Sequence, residues 1–189
     1  MSVVAGSAID CLILQPAAKA ATTEVYIMRP LIVQSSARPQ GDTYQVARHL
    51  AGALGADHLD LLDYTIHPFN YEQEYPTDDG FFRLVEEEIL PRHQIIFASP
   101  VYWYSMSGPM KIFFDRLSDL LKSRKDLGRQ LRGKQLSVLS CSNDAEVNDS
   151  FFSAFRLSAE YLGMTYGPEW HGWLEGTSPT IVKRAISRE

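Results

Sequence analysis

An alternation of two periodicities constrains this chain most. Pro30–Gln34, Leu59–Leu62, Gln94–Ala98, Gln135–Ser140 and Met164–Trp170 are short runs, mostly apolar, of the length that buried strands adopt. Between them lie stretches with apolar residues at helical spacing. Val46, Ala47, Leu50, Ala51 and Leu54 form one stripe, closed by Gly55. Phe82, Val85 and Ile89 form a second, with Asp78 or Asp79 as its cap and Pro91 as its stop. Met110, Phe113, Phe114, Leu117, Leu120 and Leu121 form a third, entered through Pro109, whose missing N–H costs nothing in a first turn. Phe152, Phe155, Ala159 and Leu162 form the last, ending at Gly163. Strands that alternate with helices need crossover connections. Those crossovers are right-handed and cover both faces of a parallel sheet.

The fold expected is therefore α/β, a five-stranded parallel sheet with helices on both faces; its order can be 2-1-3-4-5, that of a flavodoxin-like three-layer sandwich. Open sheets of this kind bind ligands beyond the carboxyl ends of their strands, where the strand order reverses between strands 1 and 3. The loops after strands 1, 3 and 4 then become neighbours. In this chain they are Ser35–Thr43, Ser99–Gly108 and Ser140–Asn148, the three loops with unusual chemistry.

A chain of 189 residues suits one domain, and at that size it buries roughly 70% of its unfolded surface without a metal or disulfide staple. With 45% hydrophobic and 22% charged residues, the composition is that of a globular protein. A net charge of −5 argues against general nucleic-acid binding, which needs a basic face. Cys11 and Cys141 are far apart, so neither a disulfide framework nor a thiolate metal site is expected. No run reaches membrane-spanning length, so no membrane partner is expected. The first cationic side chain is Lys19, so the start lacks a secretory n-region and a cytoplasmic location is expected. Residues 1–27 form no periodic element. They are expected to be an extension outside the 28–189 domain, or sequence upstream of a natural start at Met28.

In the first loop, Ser36, Arg38, Gly41, Asp42 and Thr43 gather at the start of a helix. Exposed N–H groups and the positive end of the dipole favour an anion there, Arg38 adds charge, and Ser36 and Thr43 add hydroxyls. The same letters also spell a plain turn capped by Asp42 or Thr43, with Arg38 in solvent. A carboxylate beside a phosphate is repulsive, so Asp42 must offer its N–H and turn its side chain away. The second loop places Tyr102, Trp103 and Tyr104 side by side. Its backbone can read the edge of a planar heterocycle while rings or Met106 cover the face, or Trp103 and Tyr104 can fill a subunit interface. In the third loop Cys141 has no histidine near it in sequence and reads as a small buried residue. Ser140, Cys141, Ser142 and Asn143 more readily supply hydrogen bonds to a ligand edge. The five histidines have no metal-ligand spacing and read as surface or helix residues, and Asp115–Arg116 as a structural ion pair.

Two motifs resemble the NADPH-dependent FMN reductase family. The phosphate loop S-x-R-x-x-G-N-T of that family is similar to Ser36–Thr43. Its flavin-ring loop and helix, P-x-Y-W-x-x-M-S-G-x-x-K-x-x-x-D-R, is similar to Pro100–Arg116. The resemblance covers about residues 28 to 175. It implies that Ser36, Arg38, Gly41, Asp42 through its backbone, and Thr43 hold the FMN phosphate. Pro100, Val101, Tyr102, Trp103, Ser105 and Met106 would line the isoalloxazine. It also implies electron transfer from NADPH or NADH through FMN to a small quinone, azo, nitro or flavin acceptor, with no catalytic acid–base triad. A homodimer or tetramer with Trp103 and Tyr104 near the interface goes with it. Three features depart from the pattern: Asp42 stands for the usual Asn, Ser35 for a common glycine, and the third loop lacks a glycine pair. The iron–sulfur relatives carry a cysteine cluster after strand 2, and Tyr64–Asp79 contains no cysteine. An electron carrier without nicotinamide turnover, or an interaction module without FMN, remains an alternative from another class.

Overall fold

The computed structural model describes residues 29–185; the expected extension 1–27 and Cys11 lie outside the described residues. The strands are β1 (Leu31–Gln34), β2 (Asp57–Asp60), β3 (Gln94–Pro100), β4 (Gln135–Cys141), β5 (Thr165–Glu175) and β6 (Ser178–Arg184). The helices are α1 (Asp42–Leu54), α2 (Phe81–Leu84, continued by a π-helical turn Val85–Ile89), α3 (Gly108–Arg116), α4 (Asp119–Lys122), α5 (Lys125–Arg129) and α6 (Ser150–Tyr161).

The sheet order is β2-β1-β3-β4-β5-β6, parallel from β2 to β5. The predicted order thus holds for its five strands. The sheet has a sixth, β6, which runs antiparallel to β5. Other boundaries differ from the sequence reading as well: β3 and β4 run on to Pro100 and Cys141, and β5 runs past Trp170 to Glu175, where it pairs with β6. β2 is Asp57–Asp60 rather than Leu59–Leu62, because Leu61–Asp63 turn away as a 3₁₀ segment held by Asp60 Oδ1, which accepts from the Leu62 N–H. The long stripe after Pro109 is broken at Leu117–Ser118 between α3 and α4, which leaves Leu121 partly exposed.

Alternation along β1, β3 and β4 builds two cores. Leu31, Val33, Ile95, Phe97, Leu136 and Val138 face one side, where α2, α3 and α6 cover them with Phe81, Leu84, Met110, Phe113, Phe151, Phe152 and Phe155. Ile32, Ile96, Ala98 and Leu139 face the other, against Val46, Ala47, Leu50 and Ala51 of α1. The placement of α1 depends on a missing side chain. A Cβ at Gly172 of β5 would drive into Val46 Cγ1 and sit 3.2 Å from Thr180 O, so glycine lets the helix lie close on the sheet.

Charged side chains are buried as networks. Arg116 does not pair with Asp115, which instead meets Lys111 one turn back. Its guanidinium reaches Asp79 Oδ2 at 2.6 Å and Oδ1 at 3.0 Å, Asp119 Oδ2 at 2.7 Å and His67 O at 3.0 Å. The Tyr75 ring lies 3.5 Å from its centre. This ties the long loop after β2 to α3. Asp79 therefore serves the network and bonds the Phe81 N–H from outside the helix, whose cap residue is Gly80. A second network joins Glu169 of β5 to Arg156 of α6 at 2.7 Å and to Arg184 of β6 at 3.0 Å.

Candidate functional site

β1 lies between β2 and β3, so the chain leaves its C-terminal end on one side and returns on the other. The loops after β1, β3 and β4 meet at this point around a cleft of about 430 Å³, within the roughly 300–1,000 Å³ usual for small-molecule sites. Its lining comes from all three: Ser36, Arg38, Asp42 and Thr43; Pro100, Val101 and Tyr102; Cys141, Ser142, Asn143 and Asp144.

The first loop ends in α1, whose cap residue is Gly41 and carries no side-chain bond to the helix. Neither Asp42 nor Thr43 caps it. The N–H groups of Asp42, Thr43 and Tyr44 thus lack acceptors among the described residues, and the first bond back to the cap is Gln45 N–H to Gly41 O at 3.1 Å. Arg38 is exposed, and its guanidinium lies 3.8 Å from the Asp42 carboxylate, beyond hydrogen-bonding distance. The Thr43 hydroxyl is buried against Cys141. Burial pushes the Cys141 thiol up to about 11, so it stays protonated at neutral pH and is no nucleophile.

The second loop is pinned beneath by serines. Ser107 caps α3, donates to Ser35 O at 3.2 Å, and its N–H donates to Ser99 Oγ at 2.9 Å. Ser35, in the place of a common glycine, is thus a buried partner for the start of α3. Above it the loop is not extended. Tyr102 N–H donates to Ser105 O at 2.9 Å and Ser105 N–H to Tyr102 O at 3.0 Å, closing a two-residue hairpin. Trp103 and Tyr104 fill it with φ of 50° and 64°, the signs of a type I′ turn, which favours Asn-Gly. The turn points its rings outward: Trp103 is 94% exposed and Tyr104 65%.

Nine of the fourteen predicted site residues line the cleft: Ser36, Arg38, Asp42, Thr43, Pro100, Val101, Tyr102, Cys141 and Ser142. Five do not. Trp103 faces solvent, Ser105 closes the hairpin, and Met106 packs in the core among the aromatic residues. Gly41 is the helix cap, and a Cβ there would meet only Arg38, at an ordinary 3.6 Å. Ser140 lies beneath the loop and gives its one hydroxyl proton to His171 Nδ1 at 2.8 Å, with Trp170 O 3.2 Å away.

His171 is the residue that sequence reasoning missed. It is fully buried on β5 rather than at the surface, because the β4–β5 register sets it opposite Ser140. Its Nδ1 is 2.8 Å from Ser140 Oγ, its Nε2 2.7 Å from Asp144 O and 3.4 Å from Ser142 Oγ, and its ring stacks on Trp173. Burial lowers its pKa below the ordinary 6.5, so the ring is neutral at pH 7. A carbonyl only accepts, so Nε2 carries the proton and Nδ1 accepts from the Ser140 hydroxyl.

The profile of the NADPH-dependent FMN reductases matches residues 28–173. The chain belongs to that family. It is accordingly an FMN-dependent oxidoreductase that draws on reduced nicotinamide. A Bacillus subtilis protein assigned as an NAD(P)H-dependent FMN-containing oxidoreductase, YwqN, is 32% identical over 126 residues, covering 62% of this chain and 68% of its own. The structure of the Trp repressor binding protein from Bacillus subtilis aligns with a TM-score of 0.60 at 24% identity, over 78% of this chain and 85% of that one. The flavoenzyme NAD(P)H:acceptor oxidoreductase FerB from Paracoccus denitrificans gives 0.58 at 16%, over 74% and 75%. At those identities the two structures speak to the fold alone.

The donor set of the cleft fits FMN. Unpaired helix N–H groups, a guanidinium and two hydroxyls line the cleft together with apolar Val101 and half-exposed Tyr102. The carboxylates of Asp42 and Asp144 are the groups of the wrong sign for a phosphate, and Asp42 is the one at the helix start. Among the described residues no cluster of metal-ligating side chains is present, and no helix is long and apolar enough to cross a membrane.

Proposed function

We propose that this cleft holds FMN and passes electrons from NAD(P)H to a small planar acceptor such as a quinone, an azo or nitro compound, or free flavin. The observation that carries the reading is the convergence of the three loops on one cleft at the strand switch point, with an anion-type helix start at one end. The phosphate falls to Ser36, Arg38, Thr43 and the Asp42 N–H, and the ring to Pro100, Val101, Tyr102 and Ser142. When bound, FMN supplies the exchange of a hydride equivalent between nicotinamide and acceptor.

The chain's own part is binding, orientation and exclusion of water. Arg38 neutralises the phosphate, and the N-terminus of α1 gives it three fixed donors. Val101 and Tyr102 shield one side of the ring position. Asn143 offers an N–H, without an acceptor among the described residues, to a polar edge. The exposed Trp103–Tyr104 turn is the contact proposed for a second copy in a dimer or tetramer. The functional unit proposed is 28–189, which contains the whole family match.

The test is spectroscopic. Purified protein titrated with FMN should quench flavin fluorescence at one equivalent. Anaerobic NADPH or NADH, compared side by side, should bleach the bound flavin, and a quinone should restore its colour. Failure to bind FMN would remove the reading. Bound FMN that no nicotinamide reduces would favour the electron-carrier alternative.

A further inference from the structure

We propose that His171 is the positioning residue of the third loop: its ring holds Ser142–Asp144 where they line the cleft. The proposal rests on the reading of that cleft as an FMN site. The loop leaves the sheet at Cys141 and has few anchors. Ser142 N–H donates to Gly172 O at 3.2 Å, and Ser142 Oγ binds Asp144 O at 2.9 Å and the Asp144 N–H at 3.2 Å. The shortest anchor is the His171 Nε2–H to Asp144 O bond at 2.7 Å, which reaches the loop from the neighbouring strand.

The other side of the ring is fixed as well. Ser140 donates to Nδ1 at 2.8 Å, which sets the tautomer, and Trp173 stacks on the face with centroids 5.8 Å apart. His171 itself does not line the cleft. Burying a polar ring in a strand costs free energy that a leucine of similar size would avoid, so the pay-off lies in what the ring bonds. One bond runs from strand to loop, to the Asp144 carbonyl through Nε2, and the other holds the ring to Ser140 of β4 through Nδ1. Asn143 lies between the two loop residues His171 approaches. Its N–H has no acceptor among the described residues, so the histidine presets a donor at the cleft wall before any ligand arrives.

The experiment compares wild type, His171→Leu and His171→Gln, the last retaining an N–H donor near the Nε2 position. Amide hydrogen exchange at Asp144 without ligand reads loop order. Fluorescence titration with FMN reads affinity, and the midpoint potential of the bound flavin reads the donor. His171→Leu should speed exchange at Asp144, raise the FMN Kd about tenfold and shift the potential, while His171→Gln restores most of each. A general packing defect would lower the thermal midpoint of both variants without ranking them by donor. Equal exchange, Kd and potential in wild type and His171→Leu would overturn the proposal, as would a glutamine variant no better than leucine. If wild type takes up no FMN, the site reading fails, and the exchange comparison still decides the loop. Should His171→Leu not fold, Ser140→Ala removes the anchor at Nδ1 and should move the same three readouts in the same direction. No movement there would equally overturn it.

Discussion

Arg38 and Asp42 sit one turn apart with opposite charges 3.8 Å from each other at the start of α1. A phosphate placed there gains from the guanidinium and is repelled by the carboxylate, so the two substitutions should act in opposite directions. Arg38→Ala removes a charge-assisted contact worth about 2–3 kcal/mol, or roughly a 30- to 150-fold rise in the FMN Kd. Asp42→Asn keeps the backbone donor and removes the repulsion, so FMN should bind more tightly, and most visibly at low salt. Titrations of both variants at two ionic strengths check the pair. The neighbouring turn carries strain. Tyr104, at φ 64°, holds a side chain in a region that costs a non-glycine residue roughly 1–2 kcal/mol. Tyr104→Gly should raise the melting temperature by about 2–4 °C. If the turn meets a second copy, the same variant should shift the elution volume toward monomer. A run of aromatics in sequence says nothing about the sign of φ, so the hairpin is not legible in it.

Strands showed themselves in sequence where burial on both faces made them mostly apolar runs, as in β3 and β4. Edge strands did not. β2 opens with Asp57 and His58, half-buried at the sheet margin, so its apolar signal begins two residues late. β6 contains Pro179 and Lys183 and is half-exposed throughout, as edges that resist further pairing are. The three site loops were legible because each follows a legible strand. His171 was not, since its role depends on a register between β4 and β5 that no local pattern encodes. The Arg116 cluster is another long-range feature, joining α3 to the loop after β2. Burial pushes the Asp79 carboxyl up, but hydrogen bonds from Arg116 and from the N–H groups of His67 and Phe81 outweigh it and hold it below its usual range. Arg116→Met should cost about 3–5 kcal/mol in urea unfolding, because Asp79 and Asp119 lose their shared cation in the interior. Adding Asp79→Leu and Asp119→Leu should recover much of that loss, a non-additivity that tells a broken charge cluster from a cavity.

At the scale of the whole molecule, these buried groups bound the pH range of stability from both sides. His58 and His171 have pKa values lowered chiefly by burial, so both stay neutral in the folded state while the unfolded chain takes up protons from about pH 6.5 downward. Their contribution is complete above that pH and falls as pH drops toward the folded values. Cys141 bounds the other side. Its thiol is raised from 9.0 to about 11, so the unfolded chain releases its proton roughly two units before the folded protein does. The stability this supplies is whole below pH 9 and disappears between about 9 and 11, a loss on the order of 2–3 kcal/mol. Tyr64, Tyr75 and Tyr166, raised by burial, and Lys134, lowered by it, add their own alkaline dependence, so the difference between two proteins isolates the thiol. Cys141→Ala removes only the titrating group from a small buried position. The urea midpoints of wild type and Cys141→Ala should keep a constant offset from pH 7 to 9. Above pH 9 they should converge as wild type loses the cysteine's share. Parallel curves up to pH 11 would mean that the thiol ionises as freely in the folded protein as in the unfolded chain, and that the wall of the cleft behind Thr43 is open to water.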